Sequence, residues 1–204
     1  LEGGEGVGKS TQARRLAERL EAAGRRVVVT REPGGSPGAE SLRELLVNGA
    51  VDRWSPISET LLIYAARRDH IERVIAPALA DGAWVVCDRF LDSTRAYQGA
   101  GGGAPAELIA ALEAAVVGPL MPDLTLVMDM APEAGLARAA RRGEAARFEA
   151  KGAAFHARLR EAFLEIAVSE PVRCVVLDAG GDVEAVAERI WAVVGARLMG
   201  ADHG

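Results

Sequence analysis

The nine residues Gly3-Gly4-Glu5-Gly6-Val7-Gly8-Lys9-Ser10-Thr11 follow the pattern G-x-x-x-x-G-K-[ST]. Glycines at these places allow positive-φ backbone that turns successive N–H groups inward as a nest for an anion. The chemistry implied is the holding of a polyphosphate. Lys9 reaches its outer phosphates, and the Ser10 hydroxyl joins the shell of a Mg²⁺ that offsets their charge.

Five further groups of residues could act beside this loop. Asp88-Arg89-Phe90 closes the apolar run Trp84-Val85-Val86-Cys87. A strand-end aspartate next to a phosphate loop has the character of a Walker B carboxylate, and an arginine fork suits phosphate. Ser93, Thr94, Tyr97 and Gln98 then place four hydrogen-bonding side chains within six residues. Arg31 and Glu32 end a second apolar run, where open α/β sheets place ligands, although on their own they read as a solvated pair. Ile63 and Arg67 are four apart and share a helix face, an apolar wall with one polar end. Between residues 138 and 160, Arg138, Arg141, Arg142, Arg147, Lys151, Arg158 and Arg160 crowd together. Such a run is ordinarily a solvated helix face, and beside a phosphate loop it also suits a mobile lid. Asp129 reads as a helix cap ahead of Pro132 more readily than as a second metal carboxylate.

The elements that must position these groups alternate regularly. Helical spacing of Ala13, Leu16, Ala17 and Leu20 predicts a helix from Lys9 to Ala23. The runs at Val27–Thr30, Trp84–Cys87, Leu124–Met128 and Cys174–Leu177 read as strands buried on both faces of a parallel sheet. A long helix from Ser58 to Leu79 is expected to bury Leu61, Leu62, Ala65, Ile71, Val74 and Ile75. Helices from Pro105, through Phe163 and over Val183–Leu198 complete the pattern. A phosphate loop also requires a strand ahead of it, and only Leu1 and Glu2 precede Gly3, so further apolar residues are expected upstream. Counting that strand, the fold is a three-layer, doubly wound α/β domain on a five-stranded parallel sheet. It occupies residues 1–204 as one domain, with 138–160 as a lid.

Composition narrows the function. The chain has 204 residues, 50% of them hydrophobic, enough for a sizeable core. Its formal net charge of −5 argues against a nucleic-acid partner. Cys87 and Cys174 each sit in an apolar β-branched run, as reduced thiols in a cytoplasmic protein do. No apolar run approaches a membrane span.

Four stretches resemble the bacterial thymidylate kinases, within the P-loop nucleoside monophosphate kinases: Glu2–Thr11, Thr30–Gly35, Tyr64–Arg67 and Asp88–Gly99. The resemblance implies phosphoryl transfer from ATP to dTMP, giving dTDP and ADP, with Mg²⁺, in a cytoplasmic homodimer. It places Gly3 to Thr11 on ATP, and Ser10, Asp88 and Glu5 near the metal, with Glu5 also near the sugar 3′-hydroxyl. Arg31 and Arg89 fall near the dTMP phosphate, Arg67 on a thymine carbonyl, Ser93, Thr94 and Gln98 around the base, and Tyr97 against the deoxyribose. Ile63 stands where family members usually carry a stacking phenylalanine. Gly6 stands where one subclass has a loop arginine, so catalysis by Lys9 and Arg89 is expected to be completed from the lid, first by Arg142 and Arg147, then by Arg138 and Arg141. The rival readings are a kinase for another nucleoside monophosphate and a guanine-nucleotide switch. Asp178-Ala-Gly-Gly mimics D-x-x-G, but no N-K-x-D follows.

Overall fold

The computed structural model describes residues 1–141, 148 and 151–200. Arg142 and Arg147 lie outside them. In chain order the elements are α1 (Lys9–Ala22), β1 (Val27–Arg31), α2 (Pro37–Val47), α3 (Pro56–His70), a π-helical turn (Ile71–Ile75), α4 (Ala76–Ala80) and β2 (Trp84–Asp88). Then come α5 (Leu91–Thr94), a second π-helical turn (Arg95–Ala100), α6 (Ala106–Val116), β3 (Thr125–Asp129) and α7 (Pro132–Ala140). The described chain closes with α8 (Ala153–Ser169), β4 (Cys174–Asp178), α9 (Val183–Val194) and a last π-helical turn (Gly195–Met199).

The strands form two parallel pairs. β1 runs beside β2 from Val27↔Trp84 to Arg31↔Asp88, and β3 beside β4 from Thr125↔Cys174 to Asp129↔Asp178. Leu1 and Glu2 join the pairs. The Leu1 amine donates to the Cys87 carbonyl at 2.8 Å, and the Arg89 N–H donates to the Leu1 carbonyl at 2.9 Å. On the other side the Glu2 N–H donates to Leu126 at 2.8 Å and the Met128 N–H to Glu2 at 2.9 Å. The expected five-stranded sheet is therefore four strands with a single parallel bridge, Glu2↔Val127, at its centre.

Alternation along β3 divides the core in two, since successive strand residues face opposite sides. Leu126 and Met128 pack with Leu16 and Leu20 of α1 and Val186 and Ile190 of α9. Val127 packs with Tyr97 and with Phe155, Leu159 and Phe163 of α8. A third group, Ile71, Ile75, Phe90, Leu91 and Val117, closes the layer beside α3.

Two expectations change. β1 and β4 are not buried on both faces: Val29 is 45% and Val176 43% exposed, and among the described residues each of these strands has one paired neighbour and so lies at the outside of its pair. On α3, Leu61 is 48% exposed while Thr60, Ile63, Tyr64, Arg67 and His70 are buried. The helix turns a face rich in polar groups inward because that face meets the site. Both cysteines are free thiols, and burial raises each, Cys174 to about 11. No described helix is long and apolar enough to cross a membrane.

Candidate active site

The parallel strands deliver their carboxyl ends to one edge, and the functional side chains gather there. Gly3, Gly6 and Gly8 have φ of 132°, 70° and 98°. A Cβ on Gly6 would collide with the Gly135 carbonyl of α7, so this position has no room for a side chain of any kind. Lys9, the first residue of α1, is buried and donates to the carbonyls of Gly3 at 3.1 Å and Gly4 at 2.6 Å. Burial, with the Arg89 charge nearby, brings its ammonium down to about 8. The Ser10 hydroxyl donates to Asp88 Oδ2, and Asp88 Oδ1 is buried with no hydrogen-bond partner among the described residues.

Arg89 turns sharply at the end of β2 with φ of 68°, a left-handed conformation that costs a non-glycine residue about 1 kcal/mol or more. Glu2 holds the turn. Its buried carboxylate accepts from the Phe90 N–H at 2.7 Å and from the Ser93 hydroxyl at 2.6 Å. Burial, with Asp92 close by, raises the Glu2 carboxyl above its usual range. The guanidinium of Arg89 then donates to Glu5 at 3.0 Å, to the Tyr97 hydroxyl at 2.8 Å and to the Gly3 carbonyl at 2.9 Å. The Tyr97 hydroxyl in turn donates to Glu5 Oε1 at 2.7 Å. Burial opposes ionisation of Glu5, but Arg89, Lys9 and that hydroxyl outweigh it and bring Glu5 to about 2.

Arg67 is buried on α3 beside this cluster. Its Nε donates to Glu32 at 2.7 Å and its Nη2 to the Phe90 carbonyl and the Thr94 hydroxyl, both at 3.0 Å. Nη1 is buried and has no partner among the described residues. Gln98 donates to Glu59 at 2.8 Å. The ring of Tyr97 is held edge-on by Phe148, Phe155 and Phe163 at centroid distances of 5.5, 6.1 and 6.3 Å.

One cavity of about 240 Å³ unites Glu5, Gly6, Gly8, Lys9, Ser10, Arg31, Ile63, Arg67, Asp88, Arg89, Ser93, Thr94, Tyr97 and Gln98. Gly3, Gly4 and Val7 lie behind it, Val7 in the core. Thr11 lines a separate depression of about 360 Å³ with Gln12, Arg138, Gly181, Asp182 and Val183. Arg31 reaches the cavity, but its guanidinium is paired with both oxygens of Glu40 at 3.0 Å. Asp129 caps no helix: Arg160 grips it at 2.7 and 2.9 Å, and α7 begins after Ala131. Asp178 accepts from the Gly180 N–H at 2.8 Å, a local turn.

Several lining residues were not singled out by their sequence. Arg43, Leu46 and Val47 of α2 face the cavity, as does Phe148. Periodicity marks an apolar helix position without saying whether it packs on core or on a ligand. Glu32 carries no sign in its neighbours that it is buried.

A phosphate loop, a strand-end carboxylate and a second cavity brought to one edge of a parallel sheet place this chain among the P-loop NTPases. The sequence model of the family described as thymidylate kinase matches residues 1–190. A thymidylate kinase of Caulobacter vibrioides is 69% identical over 198 residues, covering 97% of this chain and 95% of the relative. Another, from Nitrobacter winogradskyi, is 55% identical and covers 99% and 89%. The crystal structure of thymidylate kinase from Ehrlichia chaffeensis superposes with a TM-score of 0.77 at 34% identity, covering 95% of each chain. The chain belongs to the thymidylate kinase family, enzymes that phosphorylate dTMP to dTDP with ATP.

Proposed function

We propose that the residues gathered in the 240 Å³ cavity hold dTMP in line with the terminal phosphate of ATP, so that its phosphate is the acceptor. One observation carries this reading. Lys9, Arg89 and Arg67 line the same cavity, and Arg67 keeps a buried Nη1 that has no hydrogen-bond partner among the described residues. An acceptor spanning them has an anionic end and a neutral end that accepts a hydrogen bond, as a pyrimidine monophosphate does. Ile63, Leu46 and Val47 supply apolar wall for the base, and the rigid ring of Tyr97 lies where the sugar must pass. Ser93, Thr94 and Gln98 complete the acceptor pocket, with Arg31 at its mouth.

The chemistry then requires little beyond placement. The acceptor is already ionised, so no strong base is needed, and the obstacle is the repulsion of two polyanions held in line. Lys9 and Arg89 place fixed positive charge at the transfer point, and Glu5 orients Arg89 through its 3.0 Å contact. A lid arginine, Arg142 or Arg147 before Arg138 or Arg141, supplies the last charge.

Ser10 and Asp88 fit Mg²⁺. They offer a hydroxyl and an unpartnered carboxylate oxygen, both hard donors. Mg²⁺ is commonly held by one or two carboxylates together with substrate phosphates, and Asp88 offers one such carboxylate. When bound, Mg²⁺ supplies neutralisation of phosphate charge. The depression at Thr11, Arg138 and Gly181–Val183 lies across the loop from the acceptor and fits the base of the donor.

The chain acts as a single domain and, in this reading, as a cytoplasmic homodimer. Ile57 and Leu61 of α3, each 48% exposed, with Leu45 of α2 at 38%, offer an apolar surface for a second copy. The test of function is ADP production with dTMP, dUMP, UMP, AMP, GMP and CMP offered separately, with Lys9→Ala as blank. Strong preference for dTMP, lost in the blank, is expected; preference for a purine monophosphate overturns the acceptor assignment.

A further inference from the structure

The reading of Arg67 as the contact for the acceptor base raises the question of what aims its free nitrogen, and the inference here rests on that reading. Glu32 Oε2 accepts from Arg67 Nε at 2.7 Å, and Glu32 Oε1 accepts from His70 Nδ1 at 2.9 Å. His70 Nε2 lies 2.6 Å from the Thr30 hydroxyl. The side chains of Glu32, Arg67 and His70 are 4%, 1% and 0% exposed. A buried guanidinium–carboxylate pair holds one geometry only when its remaining oxygens are also satisfied. Here both donors come from one helix, three residues apart on one face, and grip opposite oxygens of the same carboxylate.

We infer that His70 is a positioning residue for acceptor recognition: it locks Glu32, which in turn fixes the orientation of the Arg67 guanidinium beside the cavity it lines. Nδ1 carries the donated proton, because an ionised carboxylate only accepts. Thr30, at the end of β1, anchors the other side of the ring and so ties the reading head on α3 to the sheet. Gly35 leaves the ring its space. A Cβ there, at φ of 89°, would stand 2.5 Å from both His70 Nε2 and Thr30 Oγ1. Without His70, Glu32 Oε1 is left buried and unpaired, the carboxylate is free to rotate, and Arg67 loses its fixed aim.

The experiment is steady-state kinetics on His70→Phe, His70→Asn, Thr30→Val and Arg67→Met, each checked for folding by thermal melting. In His70→Phe the KM for dTMP should rise about tenfold, the scale of one lost hydrogen bond to a charged group, with kcat and the KM for ATP nearly unchanged. His70→Asn, whose amide restores the donor to Glu32, should recover most of the loss. Adding His70→Phe to Arg67→Met should cost little beyond Arg67→Met alone, since His70 acts through Arg67. If His70→Phe does not fold, Thr30→Val carries the test, with a smaller rise confined to dTMP. An unchanged KM for dTMP in a folded His70→Phe, or equal losses for both substrates, overturns the relay. An unchanged KM in Arg67→Met instead overturns the reading of Arg67 on which the relay rests.

Discussion

The hydroxyl of Ser10, in the first turn of α1, donates to one oxygen of Asp88 at the end of β2, while the other oxygen of Asp88 stays buried with no partner among the described residues. An unsatisfied buried carboxylate oxygen is costly, and a group of this kind marks a place prepared for something else. The two residues are 78 positions apart, and the bonding of Leu1 to Cys87 and Arg89, with the seating of α1, brings them together.

Asp88→Asn keeps the shape and the bond to Ser10 but removes the charge. The Mg²⁺ concentration needed for half-maximal rate should rise about 10- to 100-fold, the scale seen when a group supporting a metal is lost. Titration of the rate with Mg²⁺ checks this, with the melting temperature expected to be unchanged or raised.

Burial and the neighbouring Arg89 lower Lys9 to about 8 in the free protein. The charged form that binds phosphate therefore dominates below that pH and is lost above it. kcat/KM for ATP, which reports the free enzyme, should fall as pH rises through about 8. Measurement between neutral and alkaline pH should show that descending limb, and Lys9→Arg should move it upward even if the rate is reduced.

Ile63 faces the cavity from α3 and provides wall without a stacking ring. Ile63→Phe should tighten dTMP binding by about 1 kcal/mol, roughly fivefold, through ring stacking. Calorimetry decides, and unchanged or weaker affinity would show that the base lies against another surface.

Arg142→Ala or Arg147→Ala should lower kcat by about 10³-fold while sparing dTMP affinity, the behaviour of an arginine that meets charge only in the transition state. Gly6 strengthens the expectation, since its contact with the Gly135 carbonyl leaves no place for a loop arginine. Single-turnover rates for these two variants and for Arg138→Ala and Arg141→Ala would identify the residue. Near-normal rates in all four would remove the lid from the reaction.

What the sequence disclosed and what it hid divide along physical lines. The phosphate loop was legible because its function is carried by consecutive backbone groups. Asp88 was legible because an apolar strand ending in a carboxylate is a local signal. Val29 was misjudged because burial on both faces depends on the order of strands, which no local run contains. Leu61 was misjudged for the opposite reason: α3 buries Thr60, Arg67 and His70 together with Ile63 and Tyr64, which leaves Leu61 on its outer face. Glu32 looked solvated because its partners, Arg67 and His70, lie 35 and 38 residues away.

Leu1 and Glu2 have a mechanical consequence. Their backbone is bonded to β2 and the Arg89 turn on one side and to β3 on the other, and the Glu2 side chain clasps Phe90 and Ser93. The glycines that grip the donor begin at the very next residue. Donor cradle and acceptor cradle are thus two ends of one stiff ruler, and neither can slide without dragging the other. In the proposed reading the separation of the two phosphates is set by the sheet itself, and a closing lid would have only to shut out water and deliver charge.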